Sequence, residues 1–306
     1  MDPEALLEGL DGAQRAAVTS TAMPLVVLAP AGSGKTRVLT RRIAYRVATG
    51  AADPRHVLAL TFTRKAAGEL DDRLRRLGLR GDVTTGTFHA VAWATLRTRW
   101  ADQGRRPLAL LDRKGPVLRD LAPTVAGKDK RTVAGALATE IEWAKARMIT
   151  PDDYVEAVAA VGRKPIVRPD LAAEAYAAYE HRKRRGGLVD FDDLLALVAR
   201  ALEEDATFAA AQRWRFRHLF VDELQDVNPL QFRLLQAWRG DRYDVTAVDD
   251  PPAGPRLPPR GSPASTGSSA SARPPRPAAT SDGCRGGTRR RRRSTRRSPA
   301  AGRRRR

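Results

Sequence analysis

The residues with the clearest chemistry are Gly32-Ser33-Gly34-Lys35-Thr36. Two closely spaced glycines let the backbone curl so that successive N–H groups converge on an anion, and a following helix N-terminus adds partial positive charge. Lys35 supplies a mobile cation to phosphates, and the Thr36 hydroxyl can ligate a divalent metal. Ala29, Pro30 and Ala31 complete the loop, with Ala29 and Pro30 standing where the generic pattern G-x-x-x-x-G-K-[ST] begins with glycine. Pro30 precedes the amides that would bind and favours an extended Ala29, which suits the end of a strand. Phosphoryl transfer also needs a carboxylate for the metal and a base for the attacking water. The run His218-Leu219-Phe220-Val221 ends in Asp222 and Glu223, which are assigned those two roles.

These groups need a scaffold that brings them together. Continuously apolar, β-rich runs at 24–29, 56–62, 82–88, 218–223 and 244–248 read as buried strands. The first is followed by Leu39, Ile43 and Val47 at helical spacing, with Gly50 as a helix stop. Strand, loop, helix and strand in this order predict a parallel α/β sheet flanked by helices. Residues 93–215 have helical patterning throughout and read as an insertion between sheet strands. Within it, Asp190, Asp192 and Asp193 read as helix-capping residues rather than metal ligands, and the basic run 181–185 as a solvated helix C-terminus.

Several motifs in order resemble the first motor domain of UvrD/Rep/PcrA-type superfamily 1 DNA helicases: "GLDGAQRAAV", "APAGSGKTRVLTRRI", "LALTFTRKAAGEL", "GTFHA", "IEWAKARMITPDDY", "VDFDDLL" and "VDELQDVNPLQ". The resemblance implies a RecA-like P-loop NTPase fold over 1–92 and 216–248, with a helical subdomain at 93–215. It implies ATP and Mg²⁺ as cofactors, single-stranded DNA as partner, and ATP-driven 3′-to-5′ unwinding in the cytoplasm, with DNA repair among the expected settings. Gln14 matches the family's adenine-reading glutamine, and Arg37 is similar to a second nucleoside-pocket residue. Thr61, Phe62, Thr63 and Arg64, with Thr87, Phe88 and His89, match the single-stranded DNA track, although the family usually has Asn where Arg64 stands. Without the resemblance, Phe62 and Phe88 read as core residues and His89 as an ordinary polar one.

Composition frames these readings. The 306 residues, 42% of them hydrophobic, are enough for a sizeable core, and the single cysteine excludes an intramolecular disulfide framework. No apolar run is long enough to span a bilayer, so no membrane association is expected. The net charge of +20 is uneven: residues 249–306 hold 16 Arg against 3 Asp. That segment is mostly Ala, Gly, Pro and Arg, and reads as a disordered basic tail. Those four residues have codons made of G and C alone, so a frameshifted or truncated reading of GC-rich DNA is one origin. A functional arm that binds nucleic acid nonspecifically is the other, and it supports an alternative reading of the chain as a nonenzymatic nucleic-acid-binding protein. Where the family continues with a Gly-Asp-x-x-Gln segment, stacking aromatics and a second motor domain, this sequence does not. Helicase activity is therefore expected to be weak or lost.

Overall fold

The computed structural model describes residues 1–79 and 81–251, so the basic segment from 252 onward lies outside the described residues. The chain runs α1 (Gly12–Thr19), β1 (Leu25–Leu28), α2 (Lys35–Ala48), β2 (Val57–Thr61), α3 (Arg64–Arg76), β3 (Thr84–Thr87) and α4 (Phe88–Asp102). It continues through β4 (Ala109–Leu110), α5 (Lys114–Leu121), α6 (Lys130–Ala146), α7 (Tyr154–Ala160), α8 (Pro169–Gly186) and β5 (Leu188–Val189). Finally come α9 (Phe191–Glu204), α10 (Ala206–Arg215), β6 (His218–Val221), α11 (Pro229–Arg239) and β7 (Val245–Asp249).

Five strands form one parallel sheet in the order β1-β7-β6-β2-β3. Alternate side chains feed two cores. Leu58, Leu60, Leu219, Val221 and Ala247 point to the layer of α4, α9 and α11. Val57, Ala59, Phe220 and Val248 point to α2 and α3, where Leu39, Ile43, Leu70 and Leu74 meet them. With both faces covered, the central strands are mostly apolar on both faces, with Thr61, His218 and Thr246 among the polar exceptions. β1 differs. Among the described residues it pairs with β7 alone, and Val26 and Leu28 on one face are about half exposed, so its apolar run is an edge strand rather than the buried one expected.

The helical segment expected at 93–215 is divided by its packing. Helices α5 to α8 build a core of their own around Leu137, Ile141, Tyr154 and Tyr179. By contrast α4, α9 and α10 contribute Leu96, Trp100, Leu195, Val198 and Ala209 to the core against the sheet. The run of helical pattern thus packs into two cores, because amphipathic spacing reports that a helix buries a face but not against what.

Asp190 and Asp193 do cap α9. Asp190 accepts from the Asp193 N–H at 3.0 Å and Asp193 accepts from the Asp190 N–H at 2.9 Å. The same carboxylates hold two lysines. Lys145 lies 2.8 Å from Asp190, and Lys183 lies 3.0 Å from Asp190 and 2.8 Å from Glu180. Lys183 belongs to the basic run expected to be a solvated helix end, yet it is 2% exposed. Its neighbours Arg182, Arg184 and Arg185 are exposed, so within one run the helical phase turned a single cation inward.

Candidate functional site

All strands of the main sheet are parallel, and every residue singled out for chemistry gathers at or just beyond their carboxyl ends, where open α/β sheets place ligand sites. β1 leads into the loop Ala29–Gly34. Gly32 has φ +81° and Gly34 has φ +88°, a conformation L side chains rarely adopt, and α2 starts at Lys35 immediately after. Ser33 and Gly34 are partly buried, while Pro30, Ala31 and Gly32 are exposed.

Gln14 belongs to a different element and still meets this loop. Its amide closes a capping box with Asp11 at the start of α1, and its Nε2 donates to the Ser33 carbonyl at 3.0 Å. A Cβ on Gly34 would stand 3.4 Å from that same Nε2. Arg37 is exposed and donates to the Gly9 carbonyl at 2.8 Å. Gln14 and Arg37 thereby stand at the mouth of the loop, Gln14 from α1 and Arg37 from the first turn of α2.

The opposite wall comes from β6. The Thr36 hydroxyl donates to Asp222 Oδ2 at 3.3 Å, and Lys35 Nζ lies 3.2 Å from Glu223 Oε2. Asp222 is buried and its other oxygen, Oδ1, has no hydrogen-bond partner among the described residues. Burial pushes its carboxyl up, and the neighbouring Glu223 charge adds to this. A carboxylate left so is a ready ligand for a divalent cation, which would offset both effects. Thr36 and Asp222 therefore fit Mg²⁺ in donor chemistry and position. Glu223 sits in the left-handed region with φ 53° and ψ 57°, a conformation that costs a non-glycine residue roughly 1–2 kcal/mol. That turn points the carboxylate back toward Lys35.

Two further acidic residues join from β7. Asp249 carries a buried Oδ1 with no hydrogen-bond partner among the described residues, and Asp250 forms an ion pair with Lys35. Gln225 Nε2 bridges Glu223 Oε2 at 2.7 Å and Asp250 Oδ2 at 3.3 Å. Burial pulls the Lys35 ammonium down, but Asp250 and Glu223 together outweigh it, so its pKa stands above the ordinary lysine value. The sequence reading placed 249 and 250 in the basic tail. The signal that could have found them is the one that identified Asp222 and Glu223: an apolar run, here Val245 to Val248, ending in two acidic residues.

The second group forms where β2 and β3 end side by side, with Thr61 in register with Thr87. Thr63 and Thr87 cap α3 and α4, their hydroxyls accepting from Ala66 N–H at 3.0 Å and Ala90 N–H at 3.2 Å. Two helix N-termini thus open in the same direction beside exposed Thr63 and Arg64. Phe62 is partly buried, with its ring centroid 5.9 Å from that of Phe88. Phe88 is 1% exposed and belongs to the core under α4. It supports Phe62 from below and offers no face of its own. Thr61 is also buried, whereas His89 is partly exposed and stacks edge-on against Phe191. Burial lowers the His89 pKa, Asp192 opposes that, and Lys114 adds to it.

Comparison with known proteins agrees with this geometry. Residues 10–252 match the UvrD/REP helicase N-terminal domain. The chain is 46% identical over 259 residues to the ATP-dependent DNA helicase UvrD2 of Mycobacterium tuberculosis (strain ATCC 25618 / H37Rv), covering 80% of this chain and 37% of that protein. It is 34% identical over 260 residues to the ATP-dependent DNA helicase PcrA of Leuconostoc citreum, covering 82% and 33%. Against the ATP-dependent DNA helicase UvrD1 of Mycobacterium leprae (strain TN) it is 34% identical over 259 residues, covering 81% and 32%. The chain therefore spans about a third of the length of these relatives. With the parallel sheet, the glycine loop and the two acidic strand ends in the arrangement described, the chain belongs to the UvrD/REP helicase N-terminal domain family.

Proposed function

We propose that this chain binds ATP with Mg²⁺ between the Ala29–Gly34 loop and the ends of β6 and β7, and binds single-stranded DNA across the ends of β2 and β3. The observation that carries the reading is Thr36 Oγ1 at 3.3 Å from Asp222, whose second oxygen is buried and unpartnered beside Lys35. The loop amides from Ala31 to Lys35 and the α2 N-terminus would cradle the phosphates, and Lys35 would leave Asp250 and Glu223 for the γ-phosphate. Released from that lysine, Glu223 is free to orient and deprotonate the attacking water. Thr36 and Asp222 would hold Mg²⁺, which neutralises charge on the bridging phosphate oxygens when bound. Gln14 would read the adenine through its carboxamide, with Arg37 beside it.

On the DNA side, Phe62 offers a ring for base stacking, while Thr63, Arg64 and the two helix N-termini face phosphates. Thr61, Thr87 and Phe88 hold that edge in place from beneath, and His89 borders it. Coupled 3′-to-5′ unwinding is a property proposed for the longer helicases that contain such a domain. The activity expected of these residues is DNA-stimulated ATP hydrolysis.

The test is turnover of ATP by the full chain, with and without an oligonucleotide, in Mg²⁺ and in EDTA. Stimulation by DNA that disappears in Lys35→Ala and in EDTA supports the reading. Tight DNA binding with no turnover and no nucleotide binding overturns it in favour of a nonenzymatic nucleic-acid-binding protein.

A further inference from the structure

The opposite edge of the sheet, where β6 and β7 begin, carries a second group of cations and aromatics with no part in the site described above. Trp214 at the end of α10 is 60% exposed and Tyr243, just before β7, is 65% exposed. Both line an open depression of about 600 Å³ together with Arg213, Arg217 and Arg242. The Arg217 guanidinium lies 5.3 Å from the Trp214 ring centre. The ring is further held by the edge of His56 at 4.3 Å. An exposed indole fixed on two sides loses little freedom when something stacks on it.

The charge there is uncompensated. Among the described residues, Arg213, Arg215, Arg217 and Arg242 have no carboxylate within ion-pair distance. Arg213 donates to the Ala237 carbonyl, and Arg242 donates to the carbonyls of Phe216 and Trp238. Their hydrogen bonds are met while their charge is not. The one acidic residue lining the depression, Asp244, is already taken by Arg46 at 2.7 and 2.8 Å and by His218 at 2.7 Å. The cations also feel one another: burial lowers the Arg242 pKa, Arg213 and Arg217 lower it further, and Asp244 opposes them without reversing the shift.

We propose that this depression is a second binding surface for single-stranded nucleic acid, with bases stacking on Trp214 and Tyr243 and phosphates meeting Arg213 and Arg217. Unpaired guanidiniums beside exposed, immobilised rings suit a ligand that is both anionic and planar. A structured helix end would instead bring one charge and no ring. The surface lies a full strand length from the β2 and β3 ends, so it is independent of the nucleotide and DNA contacts proposed above.

Photocrosslinking tests it on the full chain, using an oligothymidylate carrying 5-iodouracil and mapping the adducts by peptide sequencing. Adducts at Trp214 or Tyr243 are expected, falling as salt rises, with Arg217→Glu lowering them about fivefold or more while adducts at Phe62 persist. Circular dichroism melting of Arg217→Glu and of Trp214→Ala should match the parent chain, since both side chains are exposed. Adducts confined to residues 61–64, 87–89 and the Arg-rich C-terminal segment overturn the proposal. Displacement of the oligonucleotide from Trp214 by a Glu-rich peptide at equal charge concentration also overturns it, pointing to an acidic protein partner.

Discussion

Among individual residues, neighbouring side chains of the same type have opposite tasks. Phe62 and Phe88 follow threonines at adjacent strand ends, yet one has an open face and the other lies in the core. Phe88→Ala should cost about 3–5 kcal/mol in a urea unfolding experiment, the usual loss for a buried aromatic. Phe62→Ala should cost much less stability. It should instead raise the oligonucleotide concentration for half-maximal stimulation of ATP turnover by roughly 5- to 150-fold, as expected for one lost base stack of about 1–3 kcal/mol. The reverse pattern would assign the DNA contact to Phe88. Lys35 shows a related economy: its ammonium pairs with Asp250 and Glu223, and Gln225 Nε2 donates to both of those carboxylates and ties them together.

For the elements, the buried ion cluster explains how the insertion is joined to α9. Asp190 is fully buried among Lys145, Lys183 and the Tyr179 hydroxyl at 2.9 Å. Burial raises the Asp190 pKa, but Lys145, Lys183 and Lys114 outweigh it and hold the carboxyl below 3.8. Burial pulls Lys145 down, and Asp190, Asp193 and Glu180 more than reverse that, holding it above 10.5. The depressed carboxylate contributes stability that is full above about pH 4 and lost as pH falls through its folded value. The raised ammonium contributes stability that is full below about pH 10 and lost as pH rises toward its folded value. The cluster's contribution to the unfolding free energy should therefore be flat between these limits and fall outside them. Asp190→Asn should lower the plateau by about 3–5 kcal/mol, because it leaves buried lysines underpaired. A plateau unchanged in Asp190→Asn would show that the cluster contributes nothing net.

For the whole molecule, the proposed nucleotide site is a seam between distant stretches of chain. Gln14, Lys35, Asp222 and Asp250 come from four separate elements that meet only when the sheet is formed. A ligand in this seam must favour the folded state. At 100 times its dissociation constant, MgATP should stabilise the chain by about 2.7 kcal/mol, or roughly 5–10 °C in melting temperature for a domain of this size. Differential scanning calorimetry checks this. The shift should be absent in Lys35→Ala and in EDTA, and a shift that survives both would place the nucleotide elsewhere.

The order of strands and helices, the glycine loop, the paired carboxylate after β6 and the capping of α9 were all legible in the residues, because each depends on local spacing or on backbone conformation near in sequence. Gly32 and Gly34 suit the loop's positive φ angles as no other residue does, and Asp190 and Asp193 carry the side-chain acceptors that the cap requires. What folding alone decided was which faces are covered. β1 reads like its buried neighbours but lies at an edge, Lys183 reads like its solvated neighbours but is enclosed, and Phe88 reads like Phe62 but sits beneath it. Asp250 reads as the start of a polar segment, yet β7 carries it to Lys35. Periodicity records that a side chain points to one face of its own element. Burial and partnership depend on what packs against that face, which only contacts between distant parts of the chain can set.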